Sequence, residues 1–317
     1  MTAAARDAYR DLLVKLMADD PRLYCLDSDT GLFTGVDFGP AADRYLNLGI
    51  AEHNLMGVAA GLAVSGKIPF VNTMATFAAT RALEAVKIDI AYNALPVRIV
   101  ATHGGLSAGH LGPTHHALED LAIMRTLPGL TVVTPADAGA TEESVSQSVD
   151  LPGPVYLRLG RKPTPPLNSD PIEIGRAQRL RDGDDLVIFA CGPHPVLASL
   201  AAANLLAADG IEVAVLNVHT LKPLDVAAIT AAAGKVPAAI TVEEHWRSGG
   251  LGGAIAETLA EHAPTRIARI GMPDTFAQVV GGQEHLLSHY GITGEQIAAT
   301  ALTLLRGVRN DPGLSRV

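Results

Sequence analysis

A glycine-rich segment of the chain concentrates imidazole side chains. The stretch "ATHGGLSAGHLGPTHHALED", residues 101–120, holds four of the chain's 11 histidines: His103, His110, His115 and His116. Imidazole exchanges protons near neutral pH and hydrogen-bonds polar substrates, so the segment is a candidate for acid–base chemistry and substrate binding. A metal site ranks lower, because the spacing matches no common ligand pattern and no cysteine lies nearby. A flexible loop whose histidines only cap a helix and contact solvent is the alternative.

A single acid precedes an apolar segment. In "NLGIAEHNLMGVAAGLAVSG", residues 47–66, Glu52 lies shortly before ten residues without a polar side chain, Leu55–Val64. The ordinary explanation is a first-turn acid, stabilised by the helix dipole by ~0.5 kcal/mol. Because the helix is apolar all round, however, we expect it to be buried. A carboxyl at its start could then be desolvated enough to hold a proton near neutral pH, as acid–base groups do.

These residues must be positioned by a fold in which short apolar strands alternate with helices. Runs rich in Val, Ile and Leu predict parallel strands buried on both faces, at residues 22–27, 45–48, 68–72, 97–102, 130–134 and 155–159. The pattern restarts with "DLVIFACG", "IEVAVLNV", "AAITVEEH" and "TRIARIG", separated by alanine-rich helices at 195–209 and 225–233. We therefore predict an α/β protein with two doubly wound domains, whose chemistry lies at the carboxyl ends of the strands.

A proline-rich segment separates the two patterns. The stretch "RKPTPPLNSDP", residues 161–171, has four prolines in eleven positions. Because proline fixes φ and has no backbone N–H, such a segment predicts an exposed linker without regular structure. We expect a first domain at 1–162, a linker at 163–175 and a smaller second domain at 176–317.

Composition limits the possible partners and compartment. The 317 residues carry a net charge of -9, with no lysine or arginine cluster, so neither nucleic acid nor an anionic membrane is an expected partner. Cys25 and Cys191 are far apart, which indicates neither a disulfide framework nor a cysteine zinc site. No uncharged apolar run reaches the roughly 20 residues that span a bilayer, and the first residues lack a signal-peptide core. We expect a soluble, cytoplasmic protein.

Several blocks occur in the order and spacing of a known family. They are "RYLNLGIAEHNLMGVAAGLAVSGKIPF", "ATFAATRALEAVKIDIAY", "ATHGGLSAGHLGPTHHALEDLAIMRTLPGLTVVTPAD" and "GPVYLRLGR", followed by "PLDVAAI", "TVEEHWRSGGLGGAIAE" and "YGITGEQI". From about residue 6 to about residue 305, the chain resembles the C-terminal half of transketolases, especially the two-chain kind in which this half is a separate subunit. The resemblance implies a pyrimidine-binding domain of a thiamine diphosphate enzyme, followed by a smaller transketolase C-terminal-like domain.

The resemblance also implies roles for individual residues. In that family, the glutamate that matches Glu52 hydrogen-bonds N1′ of the cofactor's aminopyrimidine and favours its imino form, which implies that Glu52 is both catalytic and cofactor-binding. The desolvated position expected for this carboxyl suits such proton sharing. His103 and His115 match histidines that contact the substrate and the oxygen charge that develops during the reaction, so they are the other two expected catalytic residues.

The expected aromatic pocket around the aminopyrimidine is partly altered. The family has aromatic residues at three positions spaced by three, and the matching residues here are Met74, Phe77 and Thr80. Phe77 alone keeps the ring, while Met74 can pack against an aromatic face through its sulfur. Met74 and Phe77 are therefore implied cofactor contacts. Without the surrounding blocks, an ordinary amphipathic helix with Phe77 in the core would explain them equally well.

The substrate-binding positions depart further from the family. Where members usually read G-E-D-G-P-T-H, this chain has His110 and Leu111 in place of the two acids. Leu111 cannot accept the hydrogen bond of a sugar hydroxyl, a loss on the order of 1–3 kcal/mol if the hydroxyl is left buried and unpaired. Phe33 stands about where a phosphate-contacting serine is expected. Arg161 matches a phosphate-binding arginine and Arg6 more loosely matches another, with surface arginines as the alternative for both.

One expected block is missing. Transketolases hold the diphosphate and Mg²⁺ through a G-D-G motif and a downstream asparagine, in a domain that precedes this half in fused chains. These 317 residues contain no such block. We therefore expect no metal ligand in this chain, and a second subunit that binds the diphosphate and Mg²⁺, in a heterotetramer of two of each chain.

The implied reaction moves a two-carbon ketol unit from a ketose to an aldehyde. A decarboxylating enzyme that uses a 2-oxo acid is an alternative, since deoxyxylulose-phosphate synthase and the beta subunits of 2-oxo-acid dehydrogenases share the glutamate. A non-catalytic scaffold subunit is another, because the residues at positions 74, 80 and 111 depart from the family.

Overall fold

The alternating apolar runs form two sheets in the computed structural model, which describes residues 3–167 and 170–309. The strands are β1 (Ala3–Ala4), β2 (Leu23–Asp27), β3 (Tyr45–Asn47), β4 (Ile68–Met74), β5 (Arg98–Thr102), β6 (Thr131–Val133), β7 (Val155–Arg158), β8 (Pro163–Thr164), β9 (Gln178–Arg181), β10 (Leu186–Cys191), β11 (Val213–Asn217), β12 (Thr220–Lys222), β13 (Ala238–Trp246) and β14 (Arg266–Met272).

Helices connect these strands and cover the sheets. They are α1 (Ala5–Asp19), α2 (Glu52–Val64), α3 (Ala75–Ala79), α4 (Leu83–Ala85), α5 (Asp120–Thr126), α6 (Ala138–Ser148), α7 (Pro193–Ala208), α8 (Val226–Ala233), α9 (Leu251–His262), α10 (Gln283–His289) and α11 (Gly294–Arg309). Two 3₁₀ turns, Gly39–Arg44 and Gly109–Leu111, and a π-helical segment, Val86–Ala91, complete the connections. In the part of the chain that the structure describes, no helix combines the length and apolar character needed to cross a membrane.

The first sheet has the order β12-β6-β7-β5-β4-β2-β3, and all its pairs are parallel except β12 with β6. The second sheet has the order β14-β13-β10-β11-β9, in which β9 alone is antiparallel. Central strands such as β5 and β10 are buried along their whole length, because helices cover both faces. The predicted α/β class with two doubly wound sheets is confirmed.

The two sheets are less separate than the sequence suggested. Strand β12 follows β11 of the second sheet but leaves it and pairs with β6, at the edge of the first sheet. The proline-rich segment is also not wholly irregular, since β8 pairs antiparallel with β1 and Thr164 is buried. Proline tolerates such an edge position because its missing N–H is needed only in a central strand. The expectation of a segment without regular structure was therefore wrong at Pro163–Thr164, and the domain limits stay predictions.

Helix α2 is buried on one face only. Leu55 and Met56 lie in the core, but Gly57 and Gly61 are exposed and Val64 is 76% exposed. The expectation of complete burial was wrong for this chain by itself, because no other helix of the described residues covers the second face. Beyond the exposed His53 and Asn54 in its first turn, this face has no polar side chain, which is typical of an interaction surface.

Candidate active site

Four neighbouring strands of the first sheet end at one cavity. These are β3, β2, β4 and β5, which are parallel, so the segments that follow them meet at the same edge of the sheet. The cavity has a volume of about 470 Å³ and is lined by Ser28, Asp29, Thr30, Ile50, Glu52, Met74, Phe77, Arg81, Thr114 and His115. The order of the parallel strands, rather than any single side chain, therefore determines where the site lies.

Glu52 begins α2 at the cavity wall and is 2% exposed. Its Oε2 accepts a hydrogen bond of 2.9 Å from Nη1 of Arg81, a residue that sequence reasoning missed. The Arg81 guanidinium also lies over the Phe77 ring, with its central carbon 4.7 Å from the ring centroid, in a cation–π contact. The buried carboxylate thus has both a counter-ion and a helix N-terminus beside it. The only sequence signal for Arg81 was its position four residues after Phe77.

The expected aromatic positions do not share one helix. Met74 ends β4 and Phe77 lies in α3, and both are half-buried at the cavity. Thr80 follows α3, is exposed, and donates its hydroxyl hydrogen to the Thr76 carbonyl at 2.7 Å rather than lining the cavity. An apolar wall made by one ring and one thioether therefore faces Glu52, and Arg81 extends it where the sequence suggested Thr80.

His103 follows β5 in a strained conformation. Its φ of +60° is left-handed, which a non-glycine residue adopts only at a cost of about 1–3 kcal/mol. Burial lowers the pKa of His103 to about 4, and the nearby positive charges of Arg161 and Arg6 and the imidazole of His115 add to the effect. Thr102 Oγ1 lies 3.0 Å from its Nδ1. His103 is therefore neutral at pH 7, with a fixed orientation.

The histidine loop, residues 104–117, divides its histidines between two environments. His115 lines the cavity, and its ring meets the Phe77 ring edge-on at a centroid distance of 5.4 Å. His116 is buried, and its Nε2 lies 3.1 Å from the Gly109 carbonyl, so it holds the loop together. Burial also lowers the pKa of His116. His116 is thus structural, whereas His115 faces the cavity.

His110 and Leu111 lie away from the cavity wall. Both are in the exposed 3₁₀ turn at the tip of the histidine loop, and Leu111 is 47% exposed. Phe33 is likewise outside the cavity, buried in an aromatic cluster where its ring meets Tyr9 edge-on at 6.2 Å. The structure therefore does not bring these three side chains to the residues around Glu52.

The two arginines expected to bind phosphate lie on the same side as His103. The pairing of β1 with β8 holds the start of α1, which carries Arg6, against the segment that follows Arg161. Both charges act on the His103 imidazole. Among the described residues, the buried Nε of Arg6 makes no hydrogen bond and lies 3.8 Å from a carboxylate oxygen of Asp7. Within residues 3–167 and 170–309, no group of three or more His, Cys, Asp or Glu is arranged to hold a metal ion.

Comparison with known families covers most of the chain. Residues 1–166 match the family described as transketolase, pyrimidine binding domain, and residues 175–297 match transketolase, C-terminal domain. The chain is 42% identical over 311 residues to one subunit of the apulose-4-phosphate transketolase of Phocaeicola vulgatus, which covers 96% of this chain and 98% of that protein. It is 39% identical over 300 residues to the 6-deoxy-6-sulfo-D-fructose transketolase subunit SqwH of a Clostridium species. This match covers 93% of this chain and 92% of that protein.

A solved structure agrees with these relatives. A split-gene transketolase, described as an inactive beta4 tetramer, superposes with a TM-score of 0.88 at 41% identity, covering 96% of this chain and 98% of that one. The family matches, the relatives and the solved structure all agree with the fold described above. The chain therefore belongs to the transketolase family and corresponds to the separate C-terminal-half subunit of its two-chain members.

Proposed function

We propose that this chain provides the pyrimidine-binding half of a thiamine diphosphate active site and that the assembled enzyme transfers a two-carbon ketol unit from a ketose to an aldehyde. The observation that carries the proposal is the buried carboxylate of Glu52 at an open cavity whose lining also includes Met74, Phe77 and His115. Two relatives that match more than 90% of both this chain and their own length are named as transketolase subunits, which supports this class of reaction.

The residues present fit the aminopyrimidine part of the cofactor. A carboxylate suits the ring nitrogen N1′, and the ring of Phe77 with the thioether of Met74 suits the flat faces of a heterocycle. A cavity of about 470 Å³ has room for that ring and for part of a substrate. Bound thiamine diphosphate would supply the carbanion chemistry of carbon–carbon cleavage, and the protein would supply orientation and electrostatics.

Glu52 holds and shares a proton at the ring nitrogen in this proposal. Arg81 fixes one oxygen of the carboxylate, so the group has a defined orientation toward the cavity. His103, neutral because of its low pKa, hydrogen-bonds substrate oxygens without adding charge beside the two arginines. His115 does the same from the cavity lining, where its ring contacts Phe77.

We propose that the substrate carries a phosphate or another anionic group. Arg6 and Arg161 form a cationic region beside His103, and guanidinium groups bind such anions with charge-assisted hydrogen bonds. His110 and Leu111, at the exposed tip of the histidine loop, would contact only the outer part of a substrate. Leu111 then favours a substrate that needs no hydrogen-bond acceptor at that position.

A second subunit would complete the site. The exposed apolar face of α2 and Ile50, which is 73% exposed at the cavity rim, form a surface continuous with the cavity. We propose that the partner carries the diphosphate and Mg²⁺ ligands and that two of each chain form a heterotetramer. One relative is itself named as a transketolase subunit and another forms a beta4 tetramer, which supports an oligomer. Two free, buried cysteines favour the cytoplasm as its compartment.

The test is activity of the complex with a second subunit that carries the diphosphate- and Mg²⁺-binding domain. We expect ketol transfer from a ketose to an aldehyde, dependent on thiamine diphosphate and Mg²⁺, without carbon dioxide release. Release from a 2-oxo acid, with no transfer from ketoses, would instead support the decarboxylating alternative. Glu52→Gln should lower turnover by about 100-fold or more, whereas the exposed Glu142→Gln should not. Unchanged turnover in Glu52→Gln would indicate a scaffold subunit.

A further inference from the structure

The second domain contacts the base of the histidine loop through one buried carboxylate. Glu244, in β13, is 4% exposed, and its Oε1 accepts a 2.7 Å hydrogen bond from the backbone N–H of Leu106. Gln283, which begins α10, donates its side-chain N–H to the two Glu244 oxygens at 2.9 and 3.1 Å. The cavity described above is lined only by first-domain residues among those described. Glu244 does not line that cavity; it borders a separate small cavity with Gln283 and Arg161, and the hydrogen bonds of its side chain among the described residues are those to the loop and to Gln283.

The loop is shaped to meet this carboxylate. Gly105 has a φ of +63°, and a Cβ there would lie 2.6 Å from Glu244 Cγ, so only glycine allows the approach. The N–H of Gly105 donates to the Ala117 carbonyl at 3.0 Å, and the N–H of Ala117 donates to the Gly105 carbonyl at 2.9 Å. These bonds close the base of the loop. The segment between them carries His115.

A buried arginine joins the other end of the loop to the same strand. Arg158 Nη2 donates to the Ala117 carbonyl at 2.8 Å and to the backbone carbonyl of Glu244 at 3.0 Å. Its Nε also donates to Asp120 at 2.8 Å, where both side chains are buried. The loop is thus held at Leu106 by the Glu244 side chain and at Ala117 by an arginine that contacts the Glu244 backbone. Both anchors depend on β13.

We propose that Glu244 is a positioning residue, through which the second domain fixes the histidine loop so that His115 faces Phe77 and the substrate. Only the expected effect of Glu244 on turnover rests on the proposed function. The effect on the loop itself follows from the geometry of this chain. Removal of the carboxylate leaves two buried N–H donors without an acceptor, and a loop in that condition relaxes toward water.

The neighbouring residue provides a matched control. Glu243 is also buried, and its two oxygens accept the N–H groups of Leu251 and Gly252 at 2.6 and 2.8 Å, at the start of α9. Side chains alternate along a strand, so Glu243 points to the opposite face from Glu244 and does not contact the histidine loop. Glu243→Ala therefore removes two hydrogen bonds of a buried carboxylate, against three in Glu244→Ala, and leaves the loop contacts in place.

The first measurement is amide hydrogen exchange in the full chain. Glu244→Ala should accelerate exchange of the Leu106 amide and of residues 104–117 by about tenfold or more, whereas Glu243→Ala should accelerate only the start of α9. Glu244→Gln keeps one acceptor for Leu106, and its amide can donate to Gln283 Oε1, which has no hydrogen-bond partner among the described residues, so slow exchange should return. Unchanged exchange in Glu244→Ala would overturn the proposal.

The second measurement is steady-state kinetics of the complex with its partner. We expect Glu244→Ala to lower kcat/KM by about 10- to 100-fold while the thiamine diphosphate Kd changes little, and Glu244→Gln to restore most of the rate. A loss no larger than that of Glu243→Ala, or an equal loss in the glutamine variant, would overturn the proposal. A wild-type complex without ketol transfer would instead refute the proposed function, and the exchange result would still decide the positioning role.

Discussion

Arg81 Nη1 and Glu52 Oε2 lie 2.9 Å apart, in a pair that joins a half-exposed guanidinium to a carboxylate that is almost fully buried. The same guanidinium covers Phe77. One arginine therefore contacts both groups that the proposed function assigns to the cofactor. Any ligand that approaches Glu52 from the cavity must share this carboxylate with Arg81 or displace the Arg81 guanidinium.

Arg81→Ala should lower the free energy of unfolding by about 1 kcal/mol, because it leaves a buried carboxylate without its counter-ion. When Glu52 is already replaced by Gln, Arg81→Ala should lower the free energy of unfolding by less, and the coupling energy between the two changes should be about 0.5–1.5 kcal/mol. Urea unfolding of the two single variants and the double variant measures this coupling. Arg176→Ala, which removes only a surface pair with Glu173 at 4.0 Å, is the control. Strict additivity would show that the ion pair does not form in solution.

Val64→Asp should prevent assembly with the second subunit without unfolding the chain. Val64 is 76% exposed on the apolar face of α2, so the charge meets water in the single chain but would be buried in a complex. Size-exclusion chromatography with light scattering of the mixed subunits measures the loss. Leu205→Asp, at an exposed apolar residue on α7, is the control and should assemble normally. Normal assembly of Val64→Asp would place the partner on another surface.

Arg161→Ala should raise KM for a phosphorylated aldehyde by about tenfold or more, because a charge-assisted contact to the phosphate is lost. KM for an unphosphorylated aldehyde should hardly change, and Arg6→Ala should have a smaller effect of the same kind. Initial-rate kinetics with both aldehydes separate a loss of phosphate binding from a general loss of activity. Arg179→Ala, on β9 of the second domain, should change neither. Equal losses with both aldehydes would remove the arginines from phosphate binding.

The pH dependence of stability should reflect buried neutral histidines. Burial lowers the pKa of His219 to about 4, against 6.5 in the unfolded chain, so the unfolded state binds one more proton between these pH values. The contribution is complete above pH 6.5 and is lost as pH falls toward 4. His103 and His245 act in the same direction, and Glu243, whose pKa burial raises to about 7, acts in the opposite one.

His219→Gln should therefore flatten the decline of stability below pH 6.5. The slope of the free energy of unfolding against pH should decrease by up to about 1.4 kcal/mol per pH unit, the value for a difference of one bound proton. Urea unfolding at several pH values from 7.5 to 4.5 measures the slope for both proteins. The exposed His262→Gln should leave it unchanged. An identical slope in His219→Gln would mean that His219 titrates normally in the folded chain.

Strands whose own residues determine their burial were predictable from the sequence. The run predicted at 68–72 is β4, and the run at 155–159 is β7, because apolar residues along the whole strand suit a parallel strand covered on both faces. β1 and β12 were missed, since two alanines or "TLK" carry no strand pattern of their own. Their structure depends on distant partners, β8 and β6.

The site was predictable to the extent that strand ends determine it. Glu52, Phe77 and His115 reach one cavity because parallel strands end at the same edge of a sheet. Arg81 could not be foreseen, because its pairing depends on the path of the chain between α3 and α4. The position of Leu111 at the exposed loop tip was equally hidden, since a loop's path is set by contacts such as that of Glu244 with Leu106.

The pairing of β12 with the first sheet also determines when that sheet can be completed during synthesis. The first sheet is completed only when Thr220–Lys222 pairs with β6, so a growing chain that ends before this strand presents the bare edge of β6. Unpaired edges invite association with other chains. The first domain therefore cannot finish folding on the ribosome before about a third of the second, residues 176–222, has emerged. A fragment cut at the proline-rich segment should aggregate rather than form an independent module.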